Sequence, residues 1–190
     1  MGVSGSGKTT IGRALARATG AAFFDADDFH PAANVEKMRR GEPLDEADRL
    51  PWLGRLRELV DEWLAPGRLA VLACSALTAH SRALLGVERA GVRLVFLKGP
   101  PELIARRMRR RRHFMPPELL GSQLETLEPP ADALELDVRR PVDELVAEIR
   151  SAWKLDGPAP GTGARDGKAL ESGSESKSES KSESQRESKP

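Results

Sequence analysis

Residues Gly2-Val3-Ser4-Gly5-Ser6-Gly7-Lys8-Thr9 have the composition and spacing of a phosphate-binding loop, G-x-x-x-x-G-K-[ST]. Its glycines let the backbone turn tightly, so that successive N–H groups from Gly2 to Thr10 face phosphate oxygens. Lys8 reaches toward β- and γ-phosphates, and the Thr9 hydroxyl is a ligand for Mg²⁺. The loop implies ATP and Mg²⁺ as cofactors. A flexible Gly/Ser terminus is the competing reading, and it leaves unexplained why Lys-Thr opens an amphipathic helix.

A second group of chemical residues is Phe24-Asp25-Ala26-Asp27-Asp28-Phe29-His30. Strand alternation sends Asp25 and Asp27 to one side just past a strand end, the edge where open α/β sheets bind ligands. Phosphoryl transfer to an alcohol uses one carboxylate near the metal and one near the attacking hydroxyl. Asp25 takes the metal role here, with Thr9, and Asp27 the hydroxyl role. Asp28 faces solvent. A turn with capping acids is the alternative. His30 is a substrate-contact candidate, with packing or capping as its bland counterpart.

Further on, Asp48 and Arg49 lie in a turn-rich stretch that feeds a helix at Pro51. They are either a surface pair of little energetic weight or pocket residues, with Arg49 forking onto a substrate carboxylate. Ser75 and Arg82 follow the strand that ends at Cys74, and Arg82 competes with Arg49 for that carboxylate. Residues 106–113 hold six arginines. A nucleic-acid surface is one reading of them. A lid over ATP is the more economical one, since arginines spread the charge of the transferring phosphoryl group. Arg107 and Arg111, four apart on one helical face, are the catalytic candidates.

The elements that must hold these residues alternate. Helical periodicity runs from Lys8 to Thr19, Ala32 to Arg40, Trp52 to Leu64, Ser81 to Arg89, Pro101 to Arg111, Pro117 to Leu127 and Val142 to Trp153. Strand-like runs cover about 21–25, 69–74, 92–97 and 134–138. Strands separated by helices predict an α/β fold: a parallel sheet flanked by helices in three layers. A phosphate loop ordinarily joins a buried strand to its helix, and here the loop begins at the second residue. The expectation is that the first strand is missing from this chain and that Met1 is internal to a longer polypeptide. An in-frame stop just before Met1 would refute it.

Bulk composition narrows the rest. The chain has 190 residues, with 30 basic and 29 acidic side chains and a net charge of +1, so global charge does not argue for a nucleic-acid or membrane partner. The single Cys74 excludes an internal disulfide. With no basic start followed by an apolar stretch, a soluble cytoplasmic protein is expected. Residues 1–155 form one predicted domain, with a lid at about 106–128. Residues 156–190 carry six basic and seven acidic side chains around a Glu-Ser-Lys-Ser repeat and are predicted to be a disordered tail.

The chain resembles the gluconokinases, P-loop carbohydrate kinases close in architecture to shikimate kinases. The resemblance rests on G-V-S-G-S-G-K-T, on D-A-D-D-F-H-P with N-V-E-K-M, and on G-E-P-L through P-W-L at Gly41 to Leu53. It continues through C-S-A-L at Cys74, H-F-M at His113 and S-Q-L-E-T-L-E at Ser122. It implies transfer of the ATP γ-phosphate to the 6-hydroxyl of D-gluconate, a small-molecule partner and a homodimer, with no nucleic acid or membrane. Kinases of other small anionic alcohols, such as shikimate, are the nearest alternative. Asp137 to Pro141 resembles the family's adenine-contacting loop. The family has a Lys-Gly-like step before His-Phe, where this chain passes straight from Arg112 to His113. Which arginine reaches the phosphates is therefore left open.

Overall fold

The computed structural model describes residues 1–65, 68–110 and 119–155. The tail expected at 156–190 lies outside the described residues, as do Arg111 and the His-Phe-Met segment at 113–115.

Lys8–Thr19 forms α1, which buries Ile11, Leu15 and Ala16 and is closed by Gly20 in a left-handed conformation. Then come strand β1 (Ala22–Asp25), a 3₁₀ turn (Ala26–Phe29) and α2 (Ala32–Arg39). Helix α3 (Glu46–Leu64) presents Trp52, Leu53, Leu56 and Leu59 to the core. Next are β2 (Ala70–Ala73), α4 (Ala79–Leu85), β3 (Val95–Lys98) and α5 (Pro101–Arg110). The chain continues through α6 (Leu119–Thr126), β4 (Leu134–Asp137) and α7 (Val142–Trp153).

The strands pair in parallel as β1 with β2 and β3 with β4. Helices cover both faces. Ile11 and Leu15 of α1 pack with Leu145, Val146 and Ile149 of α7 against Leu97, Leu136 and Val138. On the other face Trp52, Leu53, Leu56 and Leu59 pack with Leu85, Phe96 and Cys74. This is the expected three-layer α/β arrangement.

Between the two strand pairs lies a slot of about 260 Å³, lined by Leu15, Val71, Leu72, Leu94, Val95, Leu97 and Trp153. Met1 and Gly2 bridge it at one end. The Met1 ammonium donates to the Val95 carbonyl, Leu97 N–H donates to the Met1 carbonyl at 3.0 Å, and Gly2 N–H donates to the Ser75 carbonyl at 3.2 Å. Burial pushes the Met1 amine down to about pKa 5.

Among the described residues, three elements differ from expectation by more than one residue. Helix α3 starts at Glu46, not at Pro51, because Asp45 and Asp48 form a reciprocal capping box with both bonds at 2.9 Å. Helix α4 covers Ala79–Leu85, not Ser81–Arg89: Thr78 caps its start and left-handed Gly86 stops it. Strand β3 starts at Val95 instead of Val92.

Candidate functional site

The phosphate loop crosses from Met1 to α1. Gly7 is the N-cap, with φ 100°, no side-chain cap and no acid in the first turn. The start of α1 is therefore a helix end without a side-chain cap or a first-turn carboxylate, and such an end attracts anions. The Lys8 ammonium donates to the Val3 carbonyl at 3.1 Å. Burial pushes its pKa below the ordinary value, and the negative charges of Asp27 and Asp25 act against that shift. A desolvated ammonium held over its own loop is well placed to exchange a carbonyl for phosphate oxygens. Thr10 lies on the exposed side of the helix.

The Thr9 hydroxyl donates to Asp25 Oδ2 at 2.7 Å. That pair of hard oxygens fits Mg²⁺, which takes one or two protein oxygens beside phosphates. The expected route from Asp25 to Asp27 is corrected. The strand ends at Asp25, whose Oδ1 accepts from Asp27 N–H at 3.3 Å and caps the 3₁₀ turn. The position of Asp27 relative to Asp25 is set by this capped turn, not by strand alternation. Asp28 is exposed.

A cleft of about 270 Å³ brings Ser4, Lys8, Asp27, His30, Arg49 and Ser75 to one surface. The His30 ring stacks on Trp52, with centroids 4.2 Å apart and planes at 15°. Its Nδ1 is buried without a partner among the described residues, and burial pushes its pKa down to about 4. His30 thus faces the cleft as a neutral imidazole at pH 7. Trp52 is core, as its helical spacing suggests, but it is also a cleft wall, and its Nε1 donates to the Ala26 carbonyl at 2.7 Å. Arg49 does not pair with Asp48. The Asp48 carboxylate instead accepts from Lys37, leaving the Arg49 guanidinium with no partner among the described residues.

Two arginines sit elsewhere. Arg82 is buried behind the wall, where Nη1 donates to the carbonyls of Ala76, Leu77 and Glu128 at 3.2, 3.1 and 2.9 Å. It braces the β2–α4 loop and is not among the residues that line the cleft, whereas Arg49 is. Arg107 donates from Nη2 to the Val138 carbonyl at 2.8 Å, on the loop after β4 and not in the cleft with Lys8 and Asp27. The same loop carries the Asp137–Arg139 pair, which pulls the Asp137 carboxyl down to about pKa 2.

Sequence reasoning missed Gln123. Its Oε1 accepts from Ser4 N–H at 2.7 Å, and its Nε2 donates to Ser4 Oγ at 3.2 Å. The available signal was a polar residue between the apolar positions Leu120 and Leu124 of α6.

Residues 4–134 match the family described as shikimate kinase. A probable gluconokinase of Xenopus tropicalis is 42% identical over 168 residues, covering 78% of this chain and 88% of the relative. A gluconokinase of Gluconobacter oxydans is 47% identical over 133 residues, covering 70% and 75%. The crystal structure of a gluconokinase from Sinorhizobium meliloti is 42% identical and covers 82% of this chain and 92% of its own, with a TM-score of 0.68. A family match over most of the folded region, joined to relatives this similar along most of their own length, means that the chain belongs to the gluconokinases of the shikimate kinase family.

Proposed function

We propose that the protein transfers the γ-phosphoryl group of ATP to the 6-hydroxyl of D-gluconate, yielding 6-phospho-D-gluconate and ADP. The observation that carries this reading is the single cleft that joins the phosphate loop at Ser4 and Lys8 to Asp27 and Arg49. The uncapped start of α1 and the Lys8 ammonium bind the phosphates. Thr9 and Asp25 are the residues to hold Mg²⁺, which would offset charge on the phosphate oxygens. Arg49 pairs with the gluconate carboxylate, and neutral His30 hydrogen-bonds a sugar hydroxyl. Asp27 accepts the proton of the attacking hydroxyl as the new O–P bond forms and the bond to the β-phosphate oxygen breaks. Arg107, fixed to the loop after β4, belongs to the nucleotide side, and Arg111 is assigned to the closing lid. A cytoplasmic homodimer is part of the same reading, and sedimentation of the purified chain tests the assembly.

The test is ADP release over a panel containing D-gluconate, shikimate and other sugar acids. D-gluconate is expected to give the highest kcat/KM. Asp27→Asn should lower kcat by about 10²–10⁴-fold while ATP still binds. Preference for shikimate, or an Asp27→Asn enzyme with undiminished kcat, would refute the assignment.

A further inference from the structure

We infer that Gln123 is a positioning residue that locks the leading edge of the phosphate loop to α6, so that the seat of the transferred phosphoryl group is set from that helix. The inference rests on the kinase reading above.

Its basis is a two-bond clamp between segments far apart in the chain. Gln123 uses both ends of its carboxamide on Ser4, accepting from the backbone N–H and donating to the hydroxyl. A planar amide held at both ends fixes the orientation of what it holds as well as its distance. Ser4 lies between buried Val3 and left-handed Gly5, at the edge of the cleft shared by Lys8 and Asp27. Rotation of the Ser4 peptide would therefore shift the loop where it meets the reacting groups.

Two other polar groups on the cleft side of α6, the Ser122 and Thr126 hydroxyls, are returned to their own helix. Ser122 Oγ donates to the Leu119 carbonyl and Thr126 Oγ1 donates to the Ser122 carbonyl. Gln123 reaches across. The helix it stands on is itself well anchored. Leu119 and Leu120 are buried, Leu120 among Val3, Ile104 and Met108. Just beyond α6, Glu128 N–H donates to the Leu77 carbonyl at 2.9 Å, and Glu128 Oε2 accepts from Ala79 N–H at 2.6 Å. Gln123 is thus a strut from a fixed helix to the loop. Small misplacements of reacting groups cost rate far more than binding.

The test compares wild type, Gln123→Met, Ser4→Ala and the double variant. Methionine keeps the length and apolar body of Gln123 and removes both bonds. In wild type without nucleotide, hydrogen exchange should show the Ser4 amide protected, and Gln123→Met should lose that protection. Gln123→Met should lower kcat at least tenfold, with the ATP KM within threefold and Tm within about 3 °C. Its cost should shrink in the Ser4→Ala background, where one bond is already gone. A kcat within twofold of wild type overturns the inference. So does an undiminished cost in the Ser4→Ala background, or a Tm fall large enough to unfold the enzyme at the assay temperature. Wild-type turnover of D-gluconate in the same assay tests the kinase reading separately, and the exchange result does not depend on turnover.

Discussion

Substituting Gly5 by alanine tests how tightly the phosphate loop is packed onto α5. Gly5 has φ +80°, a region that costs an L-residue about 1–2 kcal/mol. An alanine Cβ there would lie 2.5 Å from Met108 Cγ and 3.1 Å from both Ile104 Cγ2 and the Ile104 carbonyl oxygen. Met108 and Ile104 are both buried, with Val3, Leu77 and Leu120 around them. The unbranched Met108 side chain can yield, so overpacking adds about 1–2 kcal/mol, at the low end of its usual range. The total is about 2–4 kcal/mol, a fall in Tm of about 6–12 °C for a chain of this size. Thermal unfolding is the assay, with Gly54→Ala as control. Gly54 stands inside α3 with nothing within 4 Å of an added Cβ, so alanine there should raise stability by up to about 1 kcal/mol. Trimming Met108 to alanine should remove the overpacking share of the Gly5→Ala penalty and leave the backbone share. A Gly5→Ala protein that melts within 2 °C of wild type would refute the packing argument.

Two further outcomes concern titrating groups. The His30 pKa is about 4 in the folded protein against an ordinary 6.5, so between these values the unfolded chain binds the extra proton. Stability should fall as pH drops from 6.5 to 4. The shift is worth at most about 3 kcal/mol, reduced to about 2 by the ring's partial exposure. His30→Gln should remove that part of the slope in urea unfolding across pH, and parallel curves would contradict it. The Met1 amine, near pKa 5 against 8.0, has the same sign over pH 5–8. Extending the chain before Met1 turns the amine into an amide, so any extension should flatten that window. A six-residue Val/Ile-rich extension should also gain up to about 6 kcal/mol by filling the slot of about 260 Å³, which offsets much of the cost of ordering its residues. A Gly/Ser extension of equal length should not, and equal Tm values for the two would show that the slot takes no strand.

What the sequence made legible was local. The phosphate loop, the start and stop of α1 and the positions of four strands follow from residue types within a few places of one another. So does the pairing of Thr9 with Asp25, since a strand end and a helix start must meet where the loop closes. The assignments that shifted were those decided at long range. Nothing near Arg82 announces that the Glu128 carbonyl will take its guanidinium. Gln123 lies 119 residues from the serine it holds, so single-chain periodicity could show only that it interrupts an apolar face. Asp27 was reached for the wrong reason, because alternation assumed two more strand residues where Asp25 caps a turn.

The start of α3 shows how a local misreading hides the way a correctly named residue, Arg49, is held. Proline at position 51 looks like a helix opening. The capping box at Asp45 and Asp48 is the stronger signal and starts the helix at Glu46. The earlier start puts Arg49 on α3 three residues before Trp52, and side chains at that spacing share a face. Both line the cleft. Trp52 then does two jobs: its Nε1 ties α3 to the Ala26 carbonyl in the turn that holds Asp27, and its ring supports His30. Lys37 of α2 pairs with Asp45 and Asp48 and so holds the helix start in place. The side of the cleft that carries Arg49, the acceptor half of the proposed function, is therefore one assembly of α2, the 3₁₀ turn and α3, and the Thr9–Asp25 bond ties it to α1. A change at the capping box should accordingly disturb acceptor recognition through Arg49 and leave the nucleotide loop, which takes no part in that box, in place.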